Sequence, residues 1–279
     1  MLSIDRADGF CYFVTGMKPD PAAKIVSKKS WGDFHLLRLE SPALAAEASP
    51  GQFLMVRTSE GYDPLLRRPI SLHDAGDSWL EIFFRVAGRG TALLANRGEG
   101  DRLDIIGPLG KGYRLDGFGG GKTAWLVGGG RGVAPLFFLG RRLAAQGASV
   151  RVFYGGKTEA EIPLREKLAA AGLNPACSTD DGSLGFHGFV TALLENELRG
   201  RAPDGLFVCG PDPMMKRIGR LAVERNIPAQ LSLEAIMGCG FGACWGCVHR
   251  IRKDGEGKWR KICEDGPVFE AGEILWEEG

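Results

Sequence analysis

The chain has 279 residues, enough for two domains at about 150 residues each. Hydrophobic residues make up 44% and charged residues 25%, which excludes a disordered, collagen-like or coiled-coil chain as a whole. A formal net charge of +1 gives no electrostatic case for nucleic acid or a membrane surface as a partner. Glycine is the outlier at 42 residues, about twice its usual share. Such an excess suits loops that let a ligand approach the backbone, and equally suits many tight turns.

The first residues, Met1-Leu2-Ser3-Ile4-Asp5, bring an acid early and no apolar run, so no signal peptide is expected. No stretch approaches the ~18 apolar residues of a transmembrane helix. Four of the cysteines, Cys239, Cys244, Cys247 and Cys263, share one short C-terminal span, while Cys11, Cys177 and Cys209 are scattered. Clustered cysteines without an export signal read as metal ligands in a cytoplasmic protein.

Residues 20–120 read as short strands between turns: Phe34 to Leu39, Phe53 to Arg57, Trp79 to Val86 and Arg102 to Ile106. That rhythm predicts an antiparallel barrel or sandwich. Gly117 to Lys122 is a glycine-rich joint, and beyond it the pattern changes. Thr123 to Val127 reads as a buried strand, Gly128 to Gly132 as a turn, and Val133 to Gln146 as a helix stopped by Gly147. A strand over Ser149 to Tyr154, a helix over Ile162 to Ala171 and a strand over Gly205 to Cys209 continue the alternation. Strands alternating with helices predict a parallel sheet. The expected division is a barrel over 1–120, an α/β domain over 121–229 and a cysteine-rich segment over 230–279. The last is too small to build a core alone and needs its metal.

The cysteines are spaced Cys239-x4-Cys244-x2-Cys247, with Cys263 following after 15 residues. This is the spacing of a plant-type [2Fe-2S] centre, which needs four thiolates from a closely wrapped loop. Gly238, Gly240, Gly242 and Gly246 lie among the ligands and leave room for amide N–H groups near the sulfurs. A structural zinc site is the competing reading. Zinc sites use paired C-x2-C or histidine, whereas a single such pair stands here, and the x4 gap fits iron–sulfur better.

Arg68-Pro69-Ile70-Ser71 follows a strand and a turn, and Phe83-Phe84-Arg85 leads into Gly88-Arg89-Gly90-Thr91. The first stretch can aim an arginine at a pyrophosphate and a hydroxyl at a flavin ring; the Gly-x-Gly-Thr turn suits a phosphate. With Pro50-Gly51-Gln52-Phe53 and Gly107-Pro108-Leu109-Gly110, these stretches resemble, in order and spacing, the ferredoxin-reductase-like flavoproteins, in which an FAD-binding barrel precedes a nicotinamide-binding α/β domain. Ser232-Leu233-Glu234, Met237 to Cys244 and Cys263-Glu264-Asp265-Gly266-Pro267-Val268-Phe269 resemble one branch of it. That branch is the electron-transfer subunits of NAD-linked dihydroorotate dehydrogenase, and the resemblance covers residues 22–277. It implies FAD on Arg68, Pro69, Ile70, Ser71, Phe83, Phe84, Arg85, Gly90 and Thr91. It also implies a [2Fe-2S] cluster on the four cysteines and an FMN-containing catalytic subunit as partner, two copies of each. Ile70 departs from the broader reductases, many of which carry a flavin-stacking tyrosine there. The residues before Ala22 have no assigned role.

Gly128-Gly129-Gly130-Arg131-Gly132-Val133-Ala134-Pro135 does not satisfy G-x-G-x-x-G, yet it brings a glycine turn to a helix N-terminus, where a pyrophosphate is welcome. The resemblance implies NAD binding by Gly128, Gly129, Gly130 and Gly132, and the stretch Thr179-Asp180-Asp181-Gly182-Ser183, with Asp181 as the chosen residue, is expected to line the dinucleotide. Arg131 either touches a phosphate or is solvated. Nothing at the end of the second strand, Tyr154-Gly155-Gly156-Lys157, separates NAD from NADP. Cys209 is implied as a catalytic residue near the nicotinamide; read without the family it is a buried core thiol.

His35, His73, His187 and His249 show no metal or nucleophile spacing. The chain offers no evident base for removing a proton from a carbon, which agrees with a subunit that moves electrons for a partner. Phe241, Trp245 and Val248 beside the cluster either meet that partner or pack on the chain's own α/β domain. The implied function is transfer of electrons from the partner's FMN, through the cluster and FAD, to NAD+ in pyrimidine biosynthesis. The alternative is a subunit of a ferredoxin–NADP oxidoreductase or sulfide dehydrogenase of the same architecture. Those often place Asp where Cys239 stands. A reductase feeding an oxygenase would carry a larger ferredoxin domain, and a zinc-stabilised binding module would be colourless.

Overall fold

The computed structural model describes residues 17–276; Cys11, and the N-terminal stretch in which no signal peptide is expected, lie outside the described residues. The short strands of the first part close into a barrel. They are β1 (Lys18–Trp31), β2 (Phe34–Glu40), β3 (Phe53–Val56), β4 (Arg68–Ala75), β5 (Trp79–Arg85) and β6 (Arg102–Leu109), in the order β1-β2-β5-β4-β3-β6. Every pairing is antiparallel. β1 begins inside the stretch to which the sequence assigns no role. Its first half pairs with β6 (Lys18 opposite Gly107) and its second with β2 (Trp31 opposite Phe34). Register shifts at Asp20/Ala23 and Ile25/Ser27 bend it between two neighbours, which removes the open sheet edges. Inside lie Ile25, Leu37, Leu54, Leu72, Ile82 and Ile105, all without exposed surface. Two short helices, α1 (Pro42–Ala45) and α2 (Arg89–Ala95), fill connections.

Beyond the glycine joint come β7 (Thr123–Gly129), β8 (Ser149–Gly156), β9 (Pro175–Thr179), β10 (Phe186–His187), β11 (Gly205–Cys209) and β12 (Ala229–Ser232), all parallel. Helices α3 (Ala134–Ala145), α4 (Arg165–Ala170), α5 (Val190–Glu197) and α6 (Asp212–Glu224) connect them. Every residue of β11 is buried, as expected for a strand covered on both faces. α3 begins as predicted, with a proline in its first turn, where the missing N–H is no loss. α4 starts at Arg165, not Ile162. Ile162 precedes Pro163 and takes a non-helical ψ of 49°, so the chain makes only a 3-10 turn over Glu159–Glu161 before the helix.

The last segment forms a hairpin of β13 (Val248–Lys253) and β14 (Glu256–Lys261), a single turn α7 (Ile262–Asp265) and a strand β15 (Val268–Glu270). β15 pairs antiparallel with β12, so the expected parallel sheet carries a seventh, reversed edge strand: β10-β9-β8-β7-β11-β12-β15.

Barrel and sheet share a wall. β4 presents fully buried His73, whose Nδ1 lies 3.0 Å from the Ala134 carbonyl and whose ring stacks on Phe137 at 4.6 Å. Asp74 accepts from Arg141, and Glu81 of β5 accepts from Lys167 at 2.6 Å and Arg38 at 2.9 Å. Helices of one domain are thus pinned to strands of the other by charged pairs that are partly desolvated.

Candidate active site and cluster centre

Consecutive residues of two barrel strands line a cavity of about 240 Å³. Arg68, Pro69, Ile70 and Ser71 come from β4, and Phe83, Phe84 and Arg85 from β5. Phe53 lines it too, directly opposite Ser71 in the ladder. The remaining motif residues shape the site at a distance. Gly90 is not in the wall; a β-carbon there would run into the Arg68 guanidinium, so the glycine makes room for that arginine. The expected Gly-x-Gly-Thr turn is the start of α2. Thr91 lines the cavity, but its Oγ1 accepts from the N–H groups of Ala87 (2.9 Å) and Gly88 (3.2 Å), shaping that start. The far wall comes from Arg131 and Ala134 of the sheet domain and from Leu233, Met237 and Pro267 of the last segment. All three parts of the chain therefore meet at this cavity, and its paired arginines, hydroxyls and aromatic floor fit a flavin dinucleotide.

A cleft of about 560 Å³ lies at the C-terminal edge of the parallel sheet, where ligands of such folds bind. Gly129 and Gly130 line it, with Gly155 and Gly156 at the end of β8, Lys157 just after it and Gly210 after β11. Gly130 takes φ +53°, and a β-carbon there would meet nothing within 4 Å, so its bare backbone faces open space. Gly128 and Gly132 are glycines for another reason. A β-carbon on Gly132 would meet the Cys209 carbonyl, and one on Gly128 the Val133 backbone at 2.9 Å. Gly132 lets the turn pack on β11 and Gly128 lets it fold onto Val133; Gly129 lines the cleft but is backed by Pro211 and Met214, and Gly130 alone of the four has open space for a ligand. Asp181 lies outside the lining: its carboxylate accepts from the Ser183 N–H at 3.0 Å and hydroxyl at 2.6 Å. Its neighbour Asp180 lines the cleft instead.

The two cavities share Arg85, Arg131 and Glu234. Arg131 donates to Glu234 at 2.7 Å, and Arg85 donates to Glu161 at 2.9 Å, so both arginines at the junction are held by acids. Neither of the two sequence readings of Arg131 included this partner. Glu234 lies 103 positions away, and no local pattern announces the pair. Cys209 is buried behind the junction, opposite Gly128 and Ser232 in the sheet, and lines neither cavity. Burial first, and then the Glu234 charge, raises its pKa, so the thiol is protonated at neutral pH.

The four cluster cysteines converge in two pairs. Cys239 perturbs the Cys244 thiol, and Cys247 the Cys263 thiol, so the partners of each pair are neighbours. Amides crowd the sulfurs: Gly242 N–H donates to Cys263 Sγ at 3.2 Å, Gly246 N–H to Cys244 Sγ at 3.4 Å, and Cys263 N–H to Cys247 Sγ at 3.4 Å. The Gly246 and Cys239 amides hold the Cys244 thiol at about 7, ready to become a thiolate, while burial raises Cys263. Among the described residues, no three His, Cys, Asp or Glu side chains gather around one ion position. Two thiol pairs fit a centre with two irons better than one tetrahedral zinc. Gly240 lies against Met55 of β3, with no room there for a β-carbon, so the loop is seated on the barrel. Trp245 is exposed and Lys261 sits 4.8 Å over its ring, while Phe241 and Val248 are half-buried.

Sequence comparison agrees with this geometry. The profile of the iron–sulfur cluster binding domain of dihydroorotate dehydrogenase B matches residues 234–275, and that of the oxidoreductase NAD-binding domain matches 126–220. The dihydroorotate dehydrogenase B (NAD(+)) electron transfer subunit of Geobacillus thermodenitrificans is 43% identical over 86% of this chain and 91% of its own. The chain belongs to this family of electron transfer subunits. The Desulforamulus reducens member is 39% identical over 87% of this chain and 93% of its own. Among solved structures, an NADH-dependent reduced ferredoxin–NADP oxidoreductase superposes with a TM-score of 0.80 at 29% identity, covering 92% of this chain and 91% of that one. A ferredoxin NADP+ reductase from Neisseria gonorrhoeae with bound FAD and NADP shares the fold, with a TM-score of 0.62 at 19% identity over 76% of this chain and 92% of that one.

Proposed function

We propose that this chain is the electron-transfer subunit of an NAD-linked dihydroorotate dehydrogenase, working with a catalytic partner subunit. The observation that carries the reading is the serial arrangement: paired cysteines on a segment whose Leu233, Met237 and Pro267 help wall a cavity, then a cleft that shares residues with that cavity. When bound, the [2Fe-2S] cluster would supply one-electron chemistry and FAD the exchange between single electrons and pairs, with NAD+ as the hydride acceptor. Cys239 with Cys244 would ligate one iron and Cys247 with Cys263 the other, the nearby amides setting the potential. Arg68 and Arg85 would bind the flavin pyrophosphate, while Ile70, Ser71, Phe83 and Phe84 hold the ring and exclude water. Gly129 and Gly130 would admit the nicotinamide dinucleotide, with Lys157 near its phosphates. The Arg131–Glu234 pair spans the junction where the two rings must meet, so ring contact requires that pair to open. Cys209 acts there by packing, since a protonated buried thiol offers shape and no charge.

The division of labour follows residues 1–120 for FAD, 121–229 for NAD and 230–279 for the cluster. The partner would carry FMN and the dihydroorotate site, two copies of each chain assembling in the cytoplasm. Among the described residues no helix is long and apolar enough to cross a membrane.

Co-expression with the catalytic subunit tests the reading. NAD+ reduction by dihydroorotate should appear only when the two chains co-purify. A coloured protein that oxidises NADH with a dye yet ignores dihydroorotate and that subunit would transfer the function to ferredoxin- or sulfide-linked chemistry.

A further inference from the structure

A third cleft, of about 330 Å³, lies along β15 and shares no lining residue with the flavin cavity. Pro267 faces the flavin cavity, whereas Val268 and Phe269 line this one. Its charges come from three parts of the chain. Lys111 and Arg114 follow the last barrel strand, and Arg252, Lys253 and Arg260 come from the β13–β14 hairpin. The acids in the wall are engaged: Glu270 accepts from Arg114, and Asp265 accepts from the Lys261 N–H at 3.0 Å, leaving Glu273 at the rim. Among the described residues, Lys111, Arg252, Lys253 and Arg260 have no acidic partner, although Arg260 is half-buried. The back wall is fixed, because the Gln230 side chain accepts from the Arg114 N–H at 2.8 Å and donates to its carbonyl at 3.0 Å. Buried Ile251 and Phe269 supply an apolar floor.

Five cations against three carboxylates leave the wall with a net charge of +2, which over an apolar floor fits a compact, multiply charged anion carrying a flat body. We propose that this cleft is a second anion site that binds a phosphate group, as free phosphate or as a nucleoside monophosphate. A ligand here would tie the cluster-bearing hairpin to the barrel exit and to β15. It would thereby stiffen β15 and, directly before it, Pro267, which lines the flavin cavity.

Calorimetric titration of the FAD- and cluster-loaded protein tests this, with the nicotinamide cleft filled by excess NAD+ and the two-subunit complex measured in parallel. Uridine monophosphate, adenosine monophosphate and inorganic phosphate are the probes. At least one should bind with a Kd below about 1 mM, and Arg260→Ala and Arg252→Ala should each weaken it about tenfold, the loss expected for one charged hydrogen bond. Arg260→Lys should keep most of the affinity, and NADH oxidation with a dye should be unchanged in all three variants. Tighter binding of a monophosphate assigns the site to a nucleotide; equal or tighter binding of inorganic phosphate assigns it to the free ion. No heat from any probe, or heat that the two alanine variants leave unaltered, overturns the site.

Discussion

The barrel and the cluster-binding segment touch at Met55 and Gly240, yet they hold their shapes by different means. The barrel is closed, with a core of aliphatic side chains that leaves no exposed surface on Leu37, Leu54 or Ile82. The segment has few such residues: its hairpin strands are mostly exposed, and its loop is organised by sulfur–amide contacts. The first part is specified by hydrophobic patterning and the second by ligand chemistry. Loss of the cluster itself should therefore leave the flavin bound, and loss of the flavin should leave the cluster in place.

The largest expected effect breaks the segment alone. Cys263→Ser removes one of a buried pair, so iron and sulfide should fall to near zero per chain. Flavin absorbance should remain, and loss of both colours would mean that the barrel depends on the cluster. The mirror variant is Arg85→Ala, which takes one charged donor from the flavin cavity. FAD should bind about 10- to 100-fold more weakly, from loss of about 1.5–3 kcal/mol, with iron content unchanged. Flavin retention on gel filtration reads this directly.

Acid should attack the wall between barrel and sheet before it attacks either part. Burial, and then the Lys167 charge, hold His73 at about 3 in the folded chain, against an ordinary 6.5. The unfolded chain takes up that proton first as pH falls. Stability is thus complete above pH 6.5 and declines through the window down to pH 3. Between pH 6.5 and pH 5 the loss is about 2 kcal/mol. Glu81, brought down by Lys167 in spite of its burial, adds to the loss at lower pH, while Asp74, raised by burial, opposes it. His73→Gln should flatten the dependence of melting temperature on pH; an unchanged slope would point to another group. The smallest effect sharpens the distinction between the glycines of the turn. Gly130→Ala costs about 1 kcal/mol of left-handed backbone strain. It should raise KM for NADH several-fold while leaving flavin and iron content alone.

Most of the fold is legible in the sequence because it rests on local pattern. Four strands of the barrel, β2, β3, β5 and β6, and the proline-started α3 follow from apolar runs and turn residues, whereas β1 and β4 are not among the expected strands. β15 is not legible as a sheet edge: three residues carry no period, and their pairing with β12 is set by tertiary contact. α4 starts later than its apolar spacing predicts, because Pro163 overrides that spacing. Within the site, the cysteines announce themselves by spacing, and Arg68 to Ser71 by family resemblance. What escapes is long-range, as with Glu234 reaching Arg131 and Glu161 reaching Arg85 across the domain boundary. Asp180 and Asp181 are adjacent and chemically identical, and only the turn that Asp181 makes with Ser183 separates them.

The reversed edge strand has a consequence for how such a protein can be taken apart. Because β15 follows the last cysteine and completes the nucleotide-binding sheet, the chain after Cys263 is threaded back into its predecessor. A cut near residue 230 would leave one fragment with a bare sheet edge and the other with a strand that has lost its ladder. Trading this segment between relatives, in evolution or in the laboratory, therefore demands that the graft bring a matching edge along with its cysteines.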